Sequence, residues 1–178
     1  MDQKINRLVR LALLAAVSVV LMYLVRIPWP AAPFLEYDPA DVSIMIGTFF
    51  YGPVAGLALT VVVSAIQALT VSAASQWYGF VMHVIATGTL VLVTSFVLRR
   101  GGMKNRMAWA LVIGTLSMAA VMVPANLLLT PLYMQVPSEA VVELLLPAIL
   151  PFNLVKAGIN CVVAWLVYGG VSRVIKAR

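Results

Sequence analysis

The sequence predicts an all-α integral membrane protein: a single domain over residues 1–178, built as a compact bundle of six transmembrane helices. The first observation is composition, because 63% of the residues are hydrophobic and 10% are charged, whereas about a quarter of a soluble domain is charged. The second is a series of apolar runs, five of which are long enough to cross a membrane as helices of about 20 residues. In chain order the six runs are Leu8–Ile27, Val42–Tyr51, Val54–Val71, Trp77–Leu98, Ala108–Leu129 and Pro147–Val171.

The placement of basic residues sets the number of crossings, because Lys and Arg in short loops favour the cytoplasmic side. If Val42–Tyr51 crosses separately from the next run, three basic groups share one side with both termini, and the acids of the loops lie outside. The basic residues are Lys4, Arg7 and Arg10; Arg99, Arg100, Lys104 and Arg106; and Arg173, Lys176 and Arg178, and the acids are Glu36, Asp38, Asp41, Glu139 and Glu143. This arrangement predicts six helices with cytoplasmic termini, and it accounts for the net charge of +6 without nucleic-acid binding.

The second helix is short, and Gly52-Pro53 ends it. A short helix can cross if it is tilted, or if its irregular end is buried in protein or lines a watery cavity. Gly52 frees the backbone, and Pro53 suits the first turn of the following helix. Gly52 and Gly56 also form a small-residue spacing that is typical of close packing, which predicts a tight turn at the inner surface.

Lys156 is the strongest chemical signal in the sequence. It lies well inside the last predicted helix, where a lysine costs about 2.5–3.5 kcal/mol on insertion scales. Asn153 and Asn160 share its helical face, so this polar stripe faces the bundle interior or a cavity. Two interpretations remain open: a cation that contacts a ligand, or a structural lysine bonded to helix ends or to an acid such as Glu36.

Other polar residues in the predicted helices allow both a structural and a ligand-binding role. Pro124 and Pro131 leave carbonyls without partners, and Asn126 either satisfies them or contacts a ligand. His83 and Gln67 are typical of hydrogen bonding between helices, with ligand contact as the alternative. The aromatic residues at predicted outer ends indicate an interfacial belt, of which one or two could stack on a flat ligand. They are Trp29, Tyr37, Trp77, Tyr78 and Tyr133.

Several activities find no support in the residues present. One cysteine and one histidine favour neither a disulfide nor a metal site. The chain contains no phosphate-binding loop and no Gly-x-Ser-x-Gly motif, so no catalytic residue is predicted and any ATP must be hydrolysed by a partner. No carboxylate is predicted inside a span, which disfavours an ion-coupled relay. Ala12 and Ala16, with Ala15 beside them, give the first helix a small-residue face that allows close helix packing.

The chain resembles, nearly end to end, the substrate-binding S components of energy-coupling factor (ECF) vitamin transporters. The stretches that carry the resemblance are "FLEYDPADVSIMIGTFFYGPVAG", "PFNLVKAG" and, in the first helix, "ALLAA". Among these proteins it is most similar to the riboflavin-specific group, with a departure at Met82-His83, where many members carry Asn-Phe. The matched positions are Phe34, Leu35, Asp38 and Asp41, the turn Tyr51–Gly56, Asn126, and the pair Asn153 and Lys156.

The resemblance implies a multi-pass transport subunit of the bacterial plasma membrane that binds riboflavin as its transported ligand and holds no cofactor of its own. It further implies docking of Ala12, Ala15 and Ala16 on a transmembrane coupling subunit. Two partner ABC ATPases would drive a toppling motion that releases the vitamin inside. The expected ligand-binding residues are Leu35, Glu36, Tyr37, Asp38, Asp41, His83, Asn126, Asn153 and Lys156.

Three alternatives stay open at this point. The same family could bind pantothenate or another small vitamin, because a carboxylate would also suit Lys156. A membrane enzyme that uses His83, and a scaffold without a ligand, belong to other classes of protein.

Overall fold

The computed structural model describes residues 3–100 and 105–176. Of the basic residues counted above, Lys104 and Arg178 lie outside these ranges. The helices are α1 (Gln3–Leu24), α2 (Ala40–Tyr51), α3 (Pro53–Leu69), α4 (Gln76–Arg99), α5 (Arg106–Met134), α6 (Ser138–Leu144) and α7 (Leu150–Lys176). Two strands, β1 (Ile27–Trp29) and β2 (Ala32–Tyr37), a 3₁₀ turn at Ala73–Ser75 and a π turn at Leu145–Ile149 complete the described elements.

The fold is a helical membrane bundle, which confirms the predicted class. Within the described residues, four helical stretches are long and apolar enough to cross a membrane: α1, α4, α5 and the stretch that runs from α6 through the π turn into α7. The helices α2 and α3 are apolar but shorter, with 12 and 17 residues. The buried centre of the bundle includes the side chains of Met45, Leu90 and Met118.

The helices alternate in direction along the chain. The Arg7 guanidinium donates a hydrogen bond to the Tyr51 carbonyl at 3.3 Å, so the start of α1 lies beside the end of α2. At the opposite end, Arg26 donates to a carbonyl in the connection between α3 and α4. Tyr78 at the start of α4 stacks on Tyr133 at the end of α5. One end of the bundle therefore gathers the ends of α1, α3 and α5 with the starts of α2 and α4.

The strands β1 and β2 form an antiparallel hairpin, which the all-α prediction missed. Ile27 pairs with Tyr37 and Pro28 with Glu36, and the register shifts between Pro28 and Trp29. Two short strands tolerate the prolines of this segment because a two-stranded ribbon consists of edge strands only. The hairpin carries Leu35 and Glu36 to the end of the bundle where the cavity described below lies.

The turn between α2 and α3 forms as the sequence predicts. Gly52 adopts a φ of 84°, a left-handed conformation that favours glycine, and Pro53 is the first residue of α3. Gly56 lies against α2 and α4 so closely that an added Cβ would overlap Thr48 Oγ1 and come within 2.8 Å of Val91 Cγ1. Of the two glycines, Gly56 therefore packs between three helices, whereas an added Cβ at Gly52 would meet nothing within 4 Å and this residue serves the turn.

Replacing Gly56 with alanine is expected to destabilise the protein by about 1–3 kcal/mol, because an extra methyl group in a packed contact forces neighbouring side chains apart. The matched control is Gly158→Ala on α7, where an added Cβ meets nothing within 4 Å. Thermal unfolding midpoints in detergent measure the difference. Equal midpoints for the two variants would contradict the close packing at Gly56.

Candidate functional site

A cavity of about 280 Å³ lies at the end of the bundle where α1, α3 and α5 end. The hairpin, the connection between α3 and α4, the first turns of α4 and the start of α7 all contribute to its wall. The lining residues are Arg26, Phe34, Leu35, Glu36, Asp38, Gln67, Ser72, Ser75, Tyr78, Gly79, Met82, His83, Ala86, Met118, Met122, Tyr133, Phe152, Asn153 and Lys156.

An ion pair between Lys156 and Asp38 forms part of the cavity wall. The Lys156 ammonium lies 2.8 Å from Asp38 Oδ2, and both side chains are buried. The other carboxylate oxygen, Asp38 Oδ1, accepts a hydrogen bond from the Ala40 backbone amide at the start of α2. Lys156 therefore meets an acid of the fold, but the partner is Asp38 and not Glu36.

A second buried carboxylate, Asp41, organises the contact between α2 and α4. Asp41 Oδ1 accepts from the Thr87 hydroxyl at 2.7 Å and lies 3.1 Å from His83 Nε2. The other ring nitrogen, His83 Nδ1, lies 2.8 Å from Ser64 Oγ on α3. Both nitrogens of the imidazole are thus held by the fold, which favours the helix-bonding interpretation of His83.

Asn160 connects these two acids to each other and to the hairpin. Its amide nitrogen donates to the Asp38 carbonyl at 3.0 Å and to Asp41 Oδ2 at 3.3 Å, and its amide oxygen accepts from the Tyr37 hydroxyl at 3.0 Å. Burial and the neighbouring Asp38 raise the pKa of Tyr37 above its ordinary value, so the hydroxyl keeps the proton that it donates. The polar stripe on α7 therefore packs against the hairpin and the start of α2.

The opposite wall is apolar and aromatic. The Tyr78 and Tyr133 rings are stacked, with centroids 4.4 Å apart and an interplanar angle of 5°. Tyr78 is fixed further by a 2.9 Å hydrogen bond between its hydroxyl and Thr130 Oγ1. Methionines at three positions, Met82, Met118 and Met122, complete this wall. A flat face of this kind suits a planar apolar group on a ligand.

The rim of the cavity is held by Arg26. Its guanidinium contacts the Glu36 carboxylate on β2 and the Val71 carbonyl, and it lies 3.5 Å from Ser72 Oγ. The Arg26 and Glu36 side chains are 36% and 31% exposed, unlike the buried pair of Lys156 and Asp38. This cluster therefore lies where the cavity meets the surroundings.

The structure brings six of the nine expected ligand-binding residues to the cavity wall. They are Leu35, Glu36, Asp38, His83, Asn153 and Lys156. The other three, Tyr37, Asp41 and Asn126, do not line the cavity and form bonds within the fold. Asn126 donates to the Met122 carbonyl at 2.7 Å, a structural bond within its own helix, whereas the carbonyls that Pro124 and Pro131 leave without an amide are those of Ala120 and Leu127.

One prediction about the acids is wrong. Asp41 does not lie in an outer loop but in the first turn of α2, where it is fully buried, and Asp38 is buried beside it. These charges are tolerated because the fold supplies Lys156, His83, Thr87 and Asn160 as partners. The expectation that no carboxylate lies inside a span also fails for α2, because Asp41 belongs to the first turn of this helix.

Sequence reasoning did not select Arg26 or the three methionines as cavity residues. A methionine in an apolar run carries no sign of its environment, because it fills lipid-facing and core positions equally well. The sequence did contain an indication that Arg26 is unusual, because it is a basic residue at the predicted outer end of the first helix.

The small-residue face of α1 is divided by the fold. Ala15 is buried against the core of the bundle and cannot form part of an exposed docking face, because its side chain is already covered. Ala12 and Ala16 are exposed. The docking face expected from the resemblance is thereby reduced to these two alanines.

The fold and the cavity define a membrane-embedded binding protein for a small molecule. The family model "ECF transporter, substrate-specific component" matches residues 6–168, and the chain belongs to this family. The predicted resemblance is thus confirmed, and the family is a transport component and not an enzyme, which sets aside the hypothesis of an enzyme that uses His83.

Individual relatives cover nearly the whole chain. "Riboflavin transporter FmnP" of Bacillus subtilis (strain 168) is 30% identical over 174 residues, which cover 93% of this chain and 91% of that protein. "Riboflavin transporter RibU" of Staphylococcus aureus (strain TCH60) is 25% identical over 181 residues, with 98% and 94% covered. A solved structure described as "Structure and mechanism of the S component of a bacterial ECF transporter" superposes with a TM-score of 0.86 at 26% identity, covering 98% of this chain and 99% of that one.

Proposed function

We propose that this chain is the riboflavin-binding subunit of an ECF-type importer in the bacterial plasma membrane. Two relatives that span nearly its full length are named riboflavin transporters. The cavity of about 280 Å³ is close to the lower end of the size range of small-molecule sites, about 300–1,000 Å³. Its flat aromatic wall suits an isoalloxazine ring, and its polar wall suits the hydroxyl groups of a ribityl chain.

The observation that carries the choice of ligand is the charge balance of the cavity. Of the cationic side chains that line it, Lys156 is paired with Asp38 and Arg26 with Glu36. A carboxylate ligand such as pantothenate would have to compete with an acid of the protein for either cation. A neutral ligand with many donors and acceptors meets no such competition, since it can bond to the paired groups as they stand. Riboflavin is therefore favoured over pantothenate.

The proposed contacts divide the nine residues into two roles. Leu35, Glu36, Asp38, His83, Asn153 and Lys156 line the cavity and contact the vitamin, His83 through the carbon atoms of its ring, since both of its nitrogens bond to the fold. Asp41 holds His83 from behind the wall. Tyr37 donates to Asn160, which in turn donates to the Asp38 carbonyl, and Asn126 donates to the carbonyl of Met122 in the wall. No cofactor takes part, and riboflavin is the transported ligand.

In the membrane we propose a single domain over residues 1–178 with six crossings, cytoplasmic termini and a cavity that faces outward. Three features support this topology. The described helices alternate in direction, and the cavity lies at the end opposite Arg7. The basic residues Lys4 and Arg10 lie in the first two turns or so of α1, Arg99 ends α4 and Arg106 begins α5, all on the side of Arg7, as the positive-inside rule requires for a cytoplasmic face.

Import would require partners that the chain does not supply. We propose that Ala12 and Ala16 on the exposed side of α1 contact a transmembrane coupling subunit, since small residues let another helix approach closely. Two ABC ATPases bound to that subunit would then drive the toppling that releases the vitamin inside. The sequence contains no phosphate-binding loop, which supports the proposal that partner subunits hydrolyse the ATP.

Titration of the purified protein with riboflavin tests the assignment. We expect flavin fluorescence to be quenched with one-to-one stoichiometry, because the isoalloxazine ring would lie beside the Tyr78 and Tyr133 rings. Calorimetry with pantothenate should give an affinity at least about a hundredfold weaker, on the scale in which each factor of ten is about 1.4 kcal/mol. A protein that leaves flavin fluorescence unchanged, or that prefers pantothenate, would refute the riboflavin assignment.

A further inference from the structure

The cavity rim contains a polar connection between two segments that are otherwise held by different parts of the bundle. The hairpin packs its buried residues Ala32 and Leu35 against a cluster that includes Val141, Ile149 and Phe152. The connection between α3 and α4 is held instead by the two helices that it joins. The two segments therefore have separate anchors and meet at the rim.

Arg26 is the residue that joins them. Among the hydrogen bonds and ion pairs of the described residues, those of Arg26 reach both Glu36 on the hairpin and the Val71 carbonyl and Ser72 hydroxyl of the α3–α4 connection. The planar guanidinium of arginine has five N–H donors and can bond several acceptors at once. The compact ammonium group of lysine does this less well. Arg26 itself lines the cavity, so its contacts extend across part of the wall.

We infer that Arg26 is a latch: it fastens the hairpin to the α3–α4 connection and thereby controls how fast a ligand enters and leaves the cavity. The identity of the ligand rests on the proposed function, whereas the latch itself is a property of the ligand-free rim. The cluster is partly exposed, so its strength is limited by solvent. A connection of modest strength suits a segment that must open at each binding event.

A latch has a kinetic signature that a ligand contact lacks. Opening the rim removes a barrier that entry and exit share, so both rate constants rise while the dissociation constant changes little. Losing a direct contact to the ligand raises the dissociation rate and leaves the association rate unchanged. Stopped-flow measurement of flavin fluorescence gives both rate constants.

We expect Arg26→Gln to raise the association and dissociation rate constants for riboflavin by about fivefold each, with the dissociation constant within about twofold of the original. Glu36→Gln should shift both rates in the same direction by a smaller factor, because the amide can still accept a hydrogen bond. Arg26→Lys should lie between Arg26→Gln and the unchanged protein. Arg7→Gln is the matched control, since Arg7 also donates to a helix-end carbonyl but at the opposite end of the bundle.

A second measurement needs no ligand and separates this inference from the riboflavin assignment. In hydrogen exchange of the ligand-free protein, Arg26→Gln should speed exchange at residues 27–37 and 70–75, and Arg7→Gln should not. If riboflavin fails to bind but this exchange pattern appears, the ligand assignment is wrong and the latch stands. Unchanged exchange in both segments, or a rise in the dissociation rate alone, would overturn the latch.

Discussion

Replacing Lys156 with methionine is expected to destabilise the protein by about 3–5 kcal/mol, which is the usual effect of removing one partner from a buried ion pair. Lys156 and Asp38 are 7% and 3% exposed, so in Lys156→Met the Asp38 carboxylate stays buried without its cation. The pair joins α7 to the start of α2, and its loss should loosen the polar wall of the cavity. Unfolding in a denaturing detergent titration measures the loss, and riboflavin binding should weaken in parallel.

A double variant separates the charge from the packing of the side chain. In Lys156→Met with Asp38→Asn the buried charge is gone, and the asparagine can still accept from the Ala40 amide as Asp38 Oδ1 does. We expect it to regain at least half of the stability lost in Lys156→Met, because replacing a whole buried pair costs far less than breaking it. If Lys156→Met is as stable as the unchanged protein, the ion pair has no role in holding the wall.

The parts of the fold that could be predicted from the sequence depend on local chemistry. Gly52 and Pro53 mark the turn between α2 and α3 because one residue tolerates a positive φ and the other suits the first turn of a helix. The helical runs follow from hydropathy alone. The hairpin could not be predicted in this way, since its strands are short and owe their position to packing against α6 and α7. That packing joins residues about 110 positions apart, such as Leu35 and Ile149.

In the candidate site, too, local features could be predicted from the sequence and long-range contacts could not. The burial of Lys156 follows from its place in an apolar run, and the common face of Asn153, Lys156 and Asn160 follows from helical periodicity. The partner of Lys156 does not, because Asp38 lies 118 positions away and three acids in that segment were equally available. Charge counting predicts that the loop acids and most of the basic residues lie on opposite sides of the membrane, but it cannot tell an exposed loop acid from one that is buried and paired.

Replacing Asp41 with alanine is expected to destabilise the protein by about 3–5 kcal/mol, as large an effect as the loss of Lys156. The Asp41 carboxylate is fully buried and takes contacts from Thr87, His83 and Asn160, which belong to α4 and α7. Without it, these buried polar groups lose their shared acceptor, and each unsatisfied group costs about 1–3 kcal/mol. Detergent unfolding gives the size of the loss.

The consequence for the cavity follows from the position of Asp41 behind its wall. Because Asp41 does not line the cavity, Asp41→Ala should weaken riboflavin binding only through the misplacement of His83 and of Asn160, which also holds the Asp38 carbonyl. Glu143→Ala is the matched control: this acid is exposed on α6, and its removal should change stability by less than about 0.5 kcal/mol. A double-mutant cycle with Thr87→Val should then give a coupling free energy of at least about 0.5 kcal/mol, the lower end of what residues in direct contact show. Additive effects at Asp41 and Thr87 would contradict the buried acceptor, since the hydroxyl of Thr87 would then be satisfied without the carboxylate.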